Sequence, residues 1–477
     1  MTSHIANPHV FDVAHAEARA FRAGVADRAP RPTISPAQML AAFDGPTPEQ
    51  GEAGAAVIQA LARAAEPGLM AMTGPRFFGW VIGASHEVGV AADWLTSAWG
   101  QNCGLYAGTP AAAMAEKVAG RWIVDMLGLP RDCSVGFVTG ATMANFVCLA
   151  AARNAVLSHA GWDVEEDGLC GAPRVRILLG ADAHTTVFAA LRYLGFGEAN
   201  AIRIPADDQG RMDAAALEDT LAQSDAPTIV IAQAGQINTG AFDPVGRIAK
   251  ACRAHNAWLH VDGAFGLWAR AVPEFTLLTQ GLDRADSWAT DGHKWLQLPY
   301  DSGFAIVRDP EAHRRAMAIG ASYLPVSDEH QPSHYAPELS RRARGFAAWA
   351  MLRALGRQGV ADMVRRHCAL ARRLAARLGA EPGVAVHNEV WLNQLVVSFG
   401  DDDTTRAVIA RLQEDNICFA DGARWRGRWV MRISVISAPL VEADIDRLAE
   451  AIFSAWRAVR AQRTPAAHTY ELMDHAQ

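Results

Sequence analysis

The sequence lacks the long hydrophobic runs and the leader pattern that mark membrane and secreted proteins. No apolar run approaches the roughly 20 residues that a helix needs to cross a bilayer. The N-terminus has no basic segment followed by an apolar stretch, so it does not read as a secretory signal. These absences argue against a membrane partner and favour a cytoplasmic protein.

Paired cysteines and long basic runs are also absent. The seven cysteines form no Cys-x-x-Cys pair, and several lie in apolar helical stretches. We therefore expect reduced thiols in a protein core rather than disulfides. The formal net charge is -7, with acidic and basic residues well mixed along the chain. This balance predicts no nucleic acid partner.

The sequence also lacks the nucleotide-binding glycine loops and the zinc-protease helix motif, although two of its segments resemble the start of such motifs. The turn at Gly140 is followed by neither the Gly-Lys-Ser/Thr of a Walker loop nor a Gly-x-Gly-x-x-Gly dinucleotide loop. His86-Glu87 could open a zinc-protease helix, but Val90 stands where the second histidine would be needed. We therefore expect no metal site.

What the sequence does contain is a large apolar share and a regular alternation of elements. The chain has 477 residues, of which 50% are hydrophobic, enough for a large core and two or more domains. Short β-type runs alternate with helical patterns between residues 134 and 307. This alternation predicts an α/β fold with a mostly parallel sheet covered by helices.

A stretch around Lys294 carries the strongest chemical signal. A β-type run, Ser287–Thr290, leads into it and a second apolar run, Gly303–Val307, leads out. Lys294 is therefore expected in a tight loop between two strands. A lysine amine that attacks a carbonyl benefits from apolar neighbours, because they leave more of it unprotonated. The alternative is a lysine that reaches solvent from a strand end.

A carboxylate lies 32 positions before this lysine. The run Ala257–Asp262 predicts a buried strand that ends in Asp262, where α/β sheets commonly place functional groups. A turn or helix-capping aspartate is the ordinary alternative. An aspartate at a strand end with His-Lys about thirty residues later is the constellation used by pyridoxal phosphate enzymes. In these enzymes the lysine binds the cofactor aldehyde, and the aspartate keeps the ring nitrogen protonated.

Three motifs together resemble one family. They are Asp262-Gly-Ala-Phe265, His293-Lys-Trp295 and Pro299-Tyr-Asp-Ser-Gly303, and they resemble those of the group II pyridoxal-phosphate decarboxylases. That family includes the aromatic L-amino acid, glutamate, histidine and cysteine-sulfinate decarboxylases. The resemblance runs from about Pro75 to about Arg447. It implies fold type I of the pyridoxal phosphate enzymes and a homodimer with shared active sites.

The resemblance also implies which residues hold pyridoxal 5'-phosphate. A strand, a glycine turn and an apolar helix beginning near Met143 match the phosphate cradle, since a helix N-terminus offers free N–H groups and a positive dipole end. His184 matches the histidine that stacks on the cofactor ring. The implied cofactor-binding residues are Gly140, Ala141, Thr142, His184, Asn238, Asp262, Ala264, Asp291, His293 and Lys294.

Substrate and catalytic residues follow from the same resemblance. Trp80, Val81 and Ile82 match the stretch that lines the substrate side-chain pocket, with core packing as the alternative, and His86 is a further candidate. Lys294 and His184 are expected to be catalytic. Tyr335 is the candidate for the tyrosine that a mobile loop of the neighbouring subunit supplies to protonate the product.

The pattern divides the chain into four parts. They are an N-terminal helical segment associated with the dimer at residues 1–74, a large cofactor-binding domain at 75–345, a small C-terminal α+β domain at 346–463, and a flexible tail at 464–477. The N-terminal helices would be marginal without a partner surface.

The predicted function is pyridoxal-phosphate-dependent decarboxylation of an L-amino acid to the amine and carbon dioxide. No arginine near Trp80 is placed to pair with an acidic side chain, so an aromatic or bulky hydrophobic substrate is favoured. One alternative is another reaction on the same scaffold, either oxidative deamination to an aldehyde or carbon–carbon lyase chemistry. Another is a non-catalytic dimeric scaffold, against which the joint presence of Lys294, Asp262 and His184 argues.

Overall fold

A computed structural model describes residues 9–319 and 329–463 of the chain. The predicted tail at 464–477 lies outside the described residues. The described helices are α1 His9–Gly24, α2 Pro36–Phe43, α3 Gly54–Ala65, α4 Glu87–Trp99, α5 Pro110–Met126, α6 Ala141–His159, α7 Val164–Asp167, α8 Thr185–Tyr193, α9 Ala214–Leu221, α10 Val245–Ala254, α11 Pro310–Met317, α12 Gly345–Gly379, α13 Asp402–Asp415 and α14 Glu442–Arg463.

A seven-stranded sheet forms the centre of the larger part. Its strands are β1 Ser134–Val138, β2 Arg176–Gly180, β3 Ala201–Ile204, β4 Thr228–Gln233, β5 Trp258–Asp262, β6 Ser287–Asp291 and β7 Gly303–Val307. They lie in the order β1-β7-β6-β5-β4-β2-β3. Neighbouring strands from β6 to β3 are parallel, whereas β7 runs antiparallel to both β6 and β1. The predicted α/β class with a mostly parallel sheet is confirmed.

Helices cover both faces of this sheet, which is why its central strands are buried throughout. Every residue of β4, β6 and β7 is buried, as expected for strands packed on two sides. One core cluster joins the sheet to α5, α9, α10 and the first part of α12. Another joins the opposite face to α6, α8 and α11.

A second, four-stranded antiparallel sheet forms the smaller C-terminal part. Its strands β8 Val384–Val386, β9 Gln394–Phe399, β10 Asp421–Trp425 and β11 Arg428–Ser434 lie in the order β10-β11-β9-β8. Helix α12 connects the two parts and bends at Gly356, where φ is +60°. Its side chains up to Cys368 join the first core, and those from Leu370 join the core of the smaller part. The predicted boundary after residue 345 stays a prediction.

The N-terminal helices are attached through few buried contacts. Neither α2 nor α3 contains a buried residue. Helix α1 reaches the main body through Arg22, whose guanidinium donates hydrogen bonds to the backbone carbonyls of Ala84 and Ser85 at 3.1 and 2.7 Å. Across the described ranges, no helix is both long and apolar enough to span a bilayer.

A buried ion pair joins the segment before α12 to helix α5. Arg341 donates to both carboxylate oxygens of Glu116 at 2.9 Å, and the side chains are 1% and 0% exposed. The same guanidinium donates to the backbone carbonyls of Cys103 and Phe137. Burial raises the pKa of Glu116, and the charge of Arg341 opposes that shift. Each charge therefore depends on the other.

We expect Glu116→Ala to lower the free energy of unfolding by about 3–5 kcal/mol, because it leaves Arg341 charged and buried without its partner. The matched control is Glu274→Ala, which removes an exposed carboxylate paired with Arg365 at 2.8 Å and should lower the free energy of unfolding far less, because solvent screens an exposed pair. Urea unfolding of both variants gives the comparison. Equal losses in the two variants would contradict the assignment.

Candidate active site

A cavity of about 280 Å³ opens where several strands of the main sheet end. The carboxyl ends of β1, β2, β4, β5 and β6 meet at this edge, the usual location of binding sites in α/β sheets. Its lining includes the predicted residues Gly140, Ala141, Thr142, His184, Asp262, Ala264, Asp291, His293 and Lys294. Their roles toward a cofactor stay predictions.

Lys294 lies in the turn after β6 and has a carboxylate partner. Its Nζ is 2.9 Å from Asp291 Oδ2, and its side chain is 19% exposed. Asp291 Oδ1 accepts a hydrogen bond from the backbone N–H of Ala141 at 2.6 Å and lies 3.3 Å from His293 Nε2. The lysine therefore has an acidic neighbour, Asp291, three residues earlier at the end of β6, in addition to the apolar neighbours expected from the sequence.

Helix α6 begins at Ala141 and points its N-terminus into the same cavity. The helix has 19 residues, and its first N–H groups and positive dipole end are suited to an anion. The positions next to this helix start, Gly140 and Gly303, have no room for a side chain. A Cβ on Gly140 would lie 3.0 Å from His293 Cε1, and one on Gly303 would lie 2.5 Å from Gly140 Cα. The turn, the histidine and the following strand therefore pack in close contact.

Asp262 faces the cavity from the end of β5. It is 5% exposed, and its carboxylate accepts hydrogen bonds from Ala264 N–H at 3.1 Å and Asn145 Nδ2 at 3.3 Å. Burial raises its pKa, and the charges of His184 and Lys294 oppose this. No described residue forms an ion pair with Asp262. A buried acid without a cationic partner is suited to a ligand that brings a positively charged N–H group.

His184 caps helix α8 at the rim of the cavity. Its Nδ1 accepts a hydrogen bond from Thr186 N–H at 3.3 Å and lies 2.7 Å from Thr186 Oγ1. Burial lowers the pKa of His184, and Asp262 partly opposes this shift. Burial therefore favours the neutral form of the imidazole. His184 can cap α8 and also act at the cavity, because the capping hydrogen bond fixes the plane of its imidazole ring.

Arg432 is a candidate that the sequence analysis missed. It lies on β11 of the smaller part and is not among the residues that line the cavity, but its charge helps to lower the pKa of His184. Burial lowers the pKa of Arg432 itself, while Asp421 raises it. Within the described part of the chain its guanidinium makes no hydrogen bond. From the sequence alone, nothing indicated that this arginine of a C-terminal strand would lie near His184 in the folded protein.

Gln297 is a second missed residue, and it fixes the lysine loop from behind. The side chain is fully buried. Its Oε1 accepts from Ala84 N–H at 2.7 Å, and its Nε2 donates to the carbonyls of Lys294 and Ile436 at 3.1 and 2.7 Å. One amide therefore joins the lysine loop to an N-terminal loop and to the smaller domain.

The predicted substrate residues do not border this cavity. The side chain of Val81 is 1% exposed and lies in the main core, and its predicted contact with a substrate stays a prediction. His86 caps α4 by accepting from Val88 N–H at 3.2 Å, which accounts for it without a substrate. Trp80 and Ile82 are absent from the lining as well, and their contact with a substrate stays a prediction. Trp80 Nε1 donates to Asp421 at 2.7 Å.

Two further predicted residues lie elsewhere. Asn238 belongs to a buried turn in which its N–H donates to Gln236 Oε1 at 2.6 Å, and its neighbour Ile237 lines the cavity in its place. Tyr335 lies in a different cavity of the same chain, where its ring stacks on His330 at 5.5 Å. Its predicted action in a neighbouring subunit stays a prediction.

Comparison with solved structures identifies the fold. The structure of Oryza sativa TDC with PLP and tryptamine aligns with a TM-score of 0.88 at 23% identity, covering 96% of this chain and 99% of that one. Similarity at this level of identity establishes the fold alone.

Curated relatives and a family profile extend the comparison to sequence. The aromatic-L-amino-acid decarboxylase of Bacillus atrophaeus is 30% identical over 314 residues, 64% of this chain and 63% of the relative. The acidic amino acid decarboxylase of Xenopus tropicalis is 28% identical over 319 residues, 65% and 61% of the two lengths. The matches thus span less than two thirds of these relatives. The profile of the pyridoxal-dependent decarboxylase conserved domain matches residues 36–399, and the chain therefore belongs to the pyridoxal-dependent decarboxylase family.

Proposed function

We propose that this protein binds pyridoxal 5'-phosphate and decarboxylates an L-amino acid to the amine and carbon dioxide. The observation that carries the proposal is the placement of Lys294 and Asp262 on one small cavity, at the ends of adjacent strands β6 and β5. An amine and a buried acid in this arrangement match the two groups that such a cofactor needs.

The chemistry of the cavity fits the cofactor at three points. Lys294 supplies an amine for the aldehyde, and the N-terminus of α6 supplies N–H donors for the phosphate. Asp262 supplies a buried carboxylate that lacks a cationic partner among the described residues, as a protonated ring nitrogen requires. The volume of about 280 Å³ suits a ligand of this size.

When bound, the cofactor supplies a conjugated ring that accepts the electron pair left behind as carbon dioxide departs. Asp262 keeps the ring nitrogen protonated, and each unit by which it raises that pKa corresponds to about 1.4 kcal/mol. His184 has Nδ1 engaged by Thr186, so the neutral ring carries its hydrogen on Nε2 and could give that proton to the product.

Arg432 supports recognition of an amino acid. A guanidinium without a hydrogen-bond partner in the described structure can pair with the substrate α-carboxylate in a bidentate manner. The apolar lining residues Ile237 and Phe265 favour an aromatic or bulky hydrophobic side chain. An acidic side chain would need a second cation, and Lys294 is the single Lys or Arg in the described lining.

A homodimer is proposed as the functional assembly. Large apolar side chains of the N-terminal helices are exposed, with Leu40 at 66%, Phe43 at 56% and Leu61 at 54%. Helices with so little buried surface are only marginally stable unless a second protein surface covers their apolar side chains. A cytoplasmic location stays a prediction, and the seven cysteines are free thiols in the structure.

The cofactor assignment is tested by covalent trapping. The chain has three lysines, Lys117, Lys250 and Lys294. After incubation with pyridoxal phosphate and borohydride reduction, we expect the label on the peptide that contains Lys294. Lys294→Ala should lose both the label and the visible absorbance band, whereas Lys250→Ala should keep both. Labelling spread over all three lysines would contradict a specific site.

The reaction is tested by a screen of L-amino acids, including L-DOPA, that measures carbon dioxide, ammonia and hydrogen peroxide. We expect carbon dioxide and amine from an aromatic or bulky hydrophobic substrate. Ammonia and peroxide with an aldehyde would instead establish oxidative deamination. If the protein binds the cofactor but forms no product from any amino acid in the screen, the proposed activity is contradicted.

Arg432→Ala should lower kcat/KM by about 10- to 100-fold, mainly through KM, because a charged hydrogen bond contributes about 1.5–3 kcal/mol. Bound-cofactor absorbance should remain. Arg428→Ala, on the exposed end of the same strand, is the matched control and should leave KM unchanged. An unchanged KM in Arg432→Ala would exclude this residue from carboxylate recognition.

The assembly is tested by sedimentation of the full chain and of a Phe43→Asp, Leu61→Asp variant. A charge on each of two helices should weaken self-association by at least tenfold. Leu277→Asp, at a residue that is 86% exposed and far from these helices in sequence, serves as the control. A monomeric wild-type chain would overturn the dimer.

A further inference from the structure

A continuous line of buried side chains lies behind Asp262. Asn145 Nδ2 donates to Asp262 Oδ2 at 3.3 Å, and Asn145 Oδ1 lies 2.8 Å from His260 Nε2. His260 Nδ1 lies 2.9 Å from Ser287 Oγ, which accepts from Trp258 Nε1 at 2.9 Å. Asn145, His260 and Ser287 are each 0% exposed. The line therefore runs through the core without contact with solvent.

The donors along this line follow from the charge of Asp262. An ionised Asp262 can only accept, so the Asn145 amide donates to it and Asn145 Oδ1 faces His260 Nε2. A neutral His260 then carries its hydrogen on Nε2, and its Nδ1 accepts from the hydroxyl of Ser287, whose oxygen also accepts from the indole N–H of Trp258. Burial lowers the pKa of His260 to about 3, so the ring is neutral.

The opposite arrangement is compatible only with a protonated acid. If His260 carried its hydrogen on Nδ1, its bare Nε2 would need the amide group of Asn145 as donor. Asn145 would then present its oxygen to Asp262, and two acceptors would face each other unless the acid held a proton. The direction of the line and the charge of Asp262 are therefore coupled.

We propose that Asn145 and His260 are positioning residues that hold Asp262 ionised and aimed at the ring nitrogen of the cofactor. The inference rests on the proposed function, because it assumes that the ring nitrogen is the partner of Asp262. Burial favours the neutral acid, and hydrogen bonds to the carboxylate favour the ion. Asn145 supplies the side-chain donor on this acid, and His260 fixes which end of the amide faces it.

Two cofactor forms separate this role from ordinary core packing. The probes are pyridoxal phosphate and its analogue with a ring C–H in place of the ring nitrogen. The wild-type protein should bind pyridoxal phosphate more tightly, because Asp262 has no partner on the analogue. Asn145→Leu should reduce this preference roughly ten- to a hundredfold, with little change in affinity for the analogue. General damage to the fold would weaken both ligands alike.

The matched control is Asn154→Leu, at another buried asparagine of α6, whose amide contacts Glu165 at 3.1 Å. It should keep the wild-type preference. His260→Gln retains an amide donor and should keep much of the preference, whereas His260→Leu should lose it. These variants also test the proposal if Asn145→Leu does not fold.

Three results would overturn the proposal. An Asn145→Leu variant with the wild-type preference would show that the amide does not act through Asp262. Equal affinity of the wild-type protein for the two probes would show that the cofactor binds but that Asp262 does not interact with its ring nitrogen. Binding of neither probe by the wild-type protein would remove the proposed function itself.

Discussion

A buried carboxylate at the end of β5 is the constraint around which the cavity is arranged. Asp262 is removed from water, and burial favours its neutral form. The donors Ala264 N–H and Asn145 Nδ2 and the nearby His184 and Lys294 favour its ionised form. Those groups come from four separate segments of the chain. The fold therefore brings them together to keep one charge in place.

The sequence predicted the parts of this arrangement that lie at strand ends. Asp262 and Lys294 each follow a short apolar run, and Gly140 stands between a strand and a helix, so their local context indicated their position. Asn145 and Gln297 carried no such signal. Asn145 meets Asp262 across 117 positions, and Gln297 meets Ile436 across 139. A side chain whose partners lie so far along the chain looks, in sequence, like any polar residue in an apolar segment.

The position of residues 80–83 relative to the cavity has a backbone cause. Trp80 and Val81 both have positive φ angles, 55° and 59°, a region that a β-branched residue rarely adopts. This turn sends Val81 into the core, and it brings Gly83 against the backbone of the lysine loop, where its N–H donates to His293 O at 3.2 Å. An alternating pattern of large side chains cannot reveal such a turn. The segment therefore lies beside the site, but through its backbone and not through Val81.

Asp291 occupies the two binding groups of the cavity before any ligand enters. Its two oxygens already engage the amine of Lys294 and the first N–H of α6, the two groups assigned to the aldehyde and the phosphate. Binding at those groups therefore exchanges one set of charged contacts for another, and the affinity is the difference between them. A site built in this way holds its amine and its anion cradle in position before the ligand arrives.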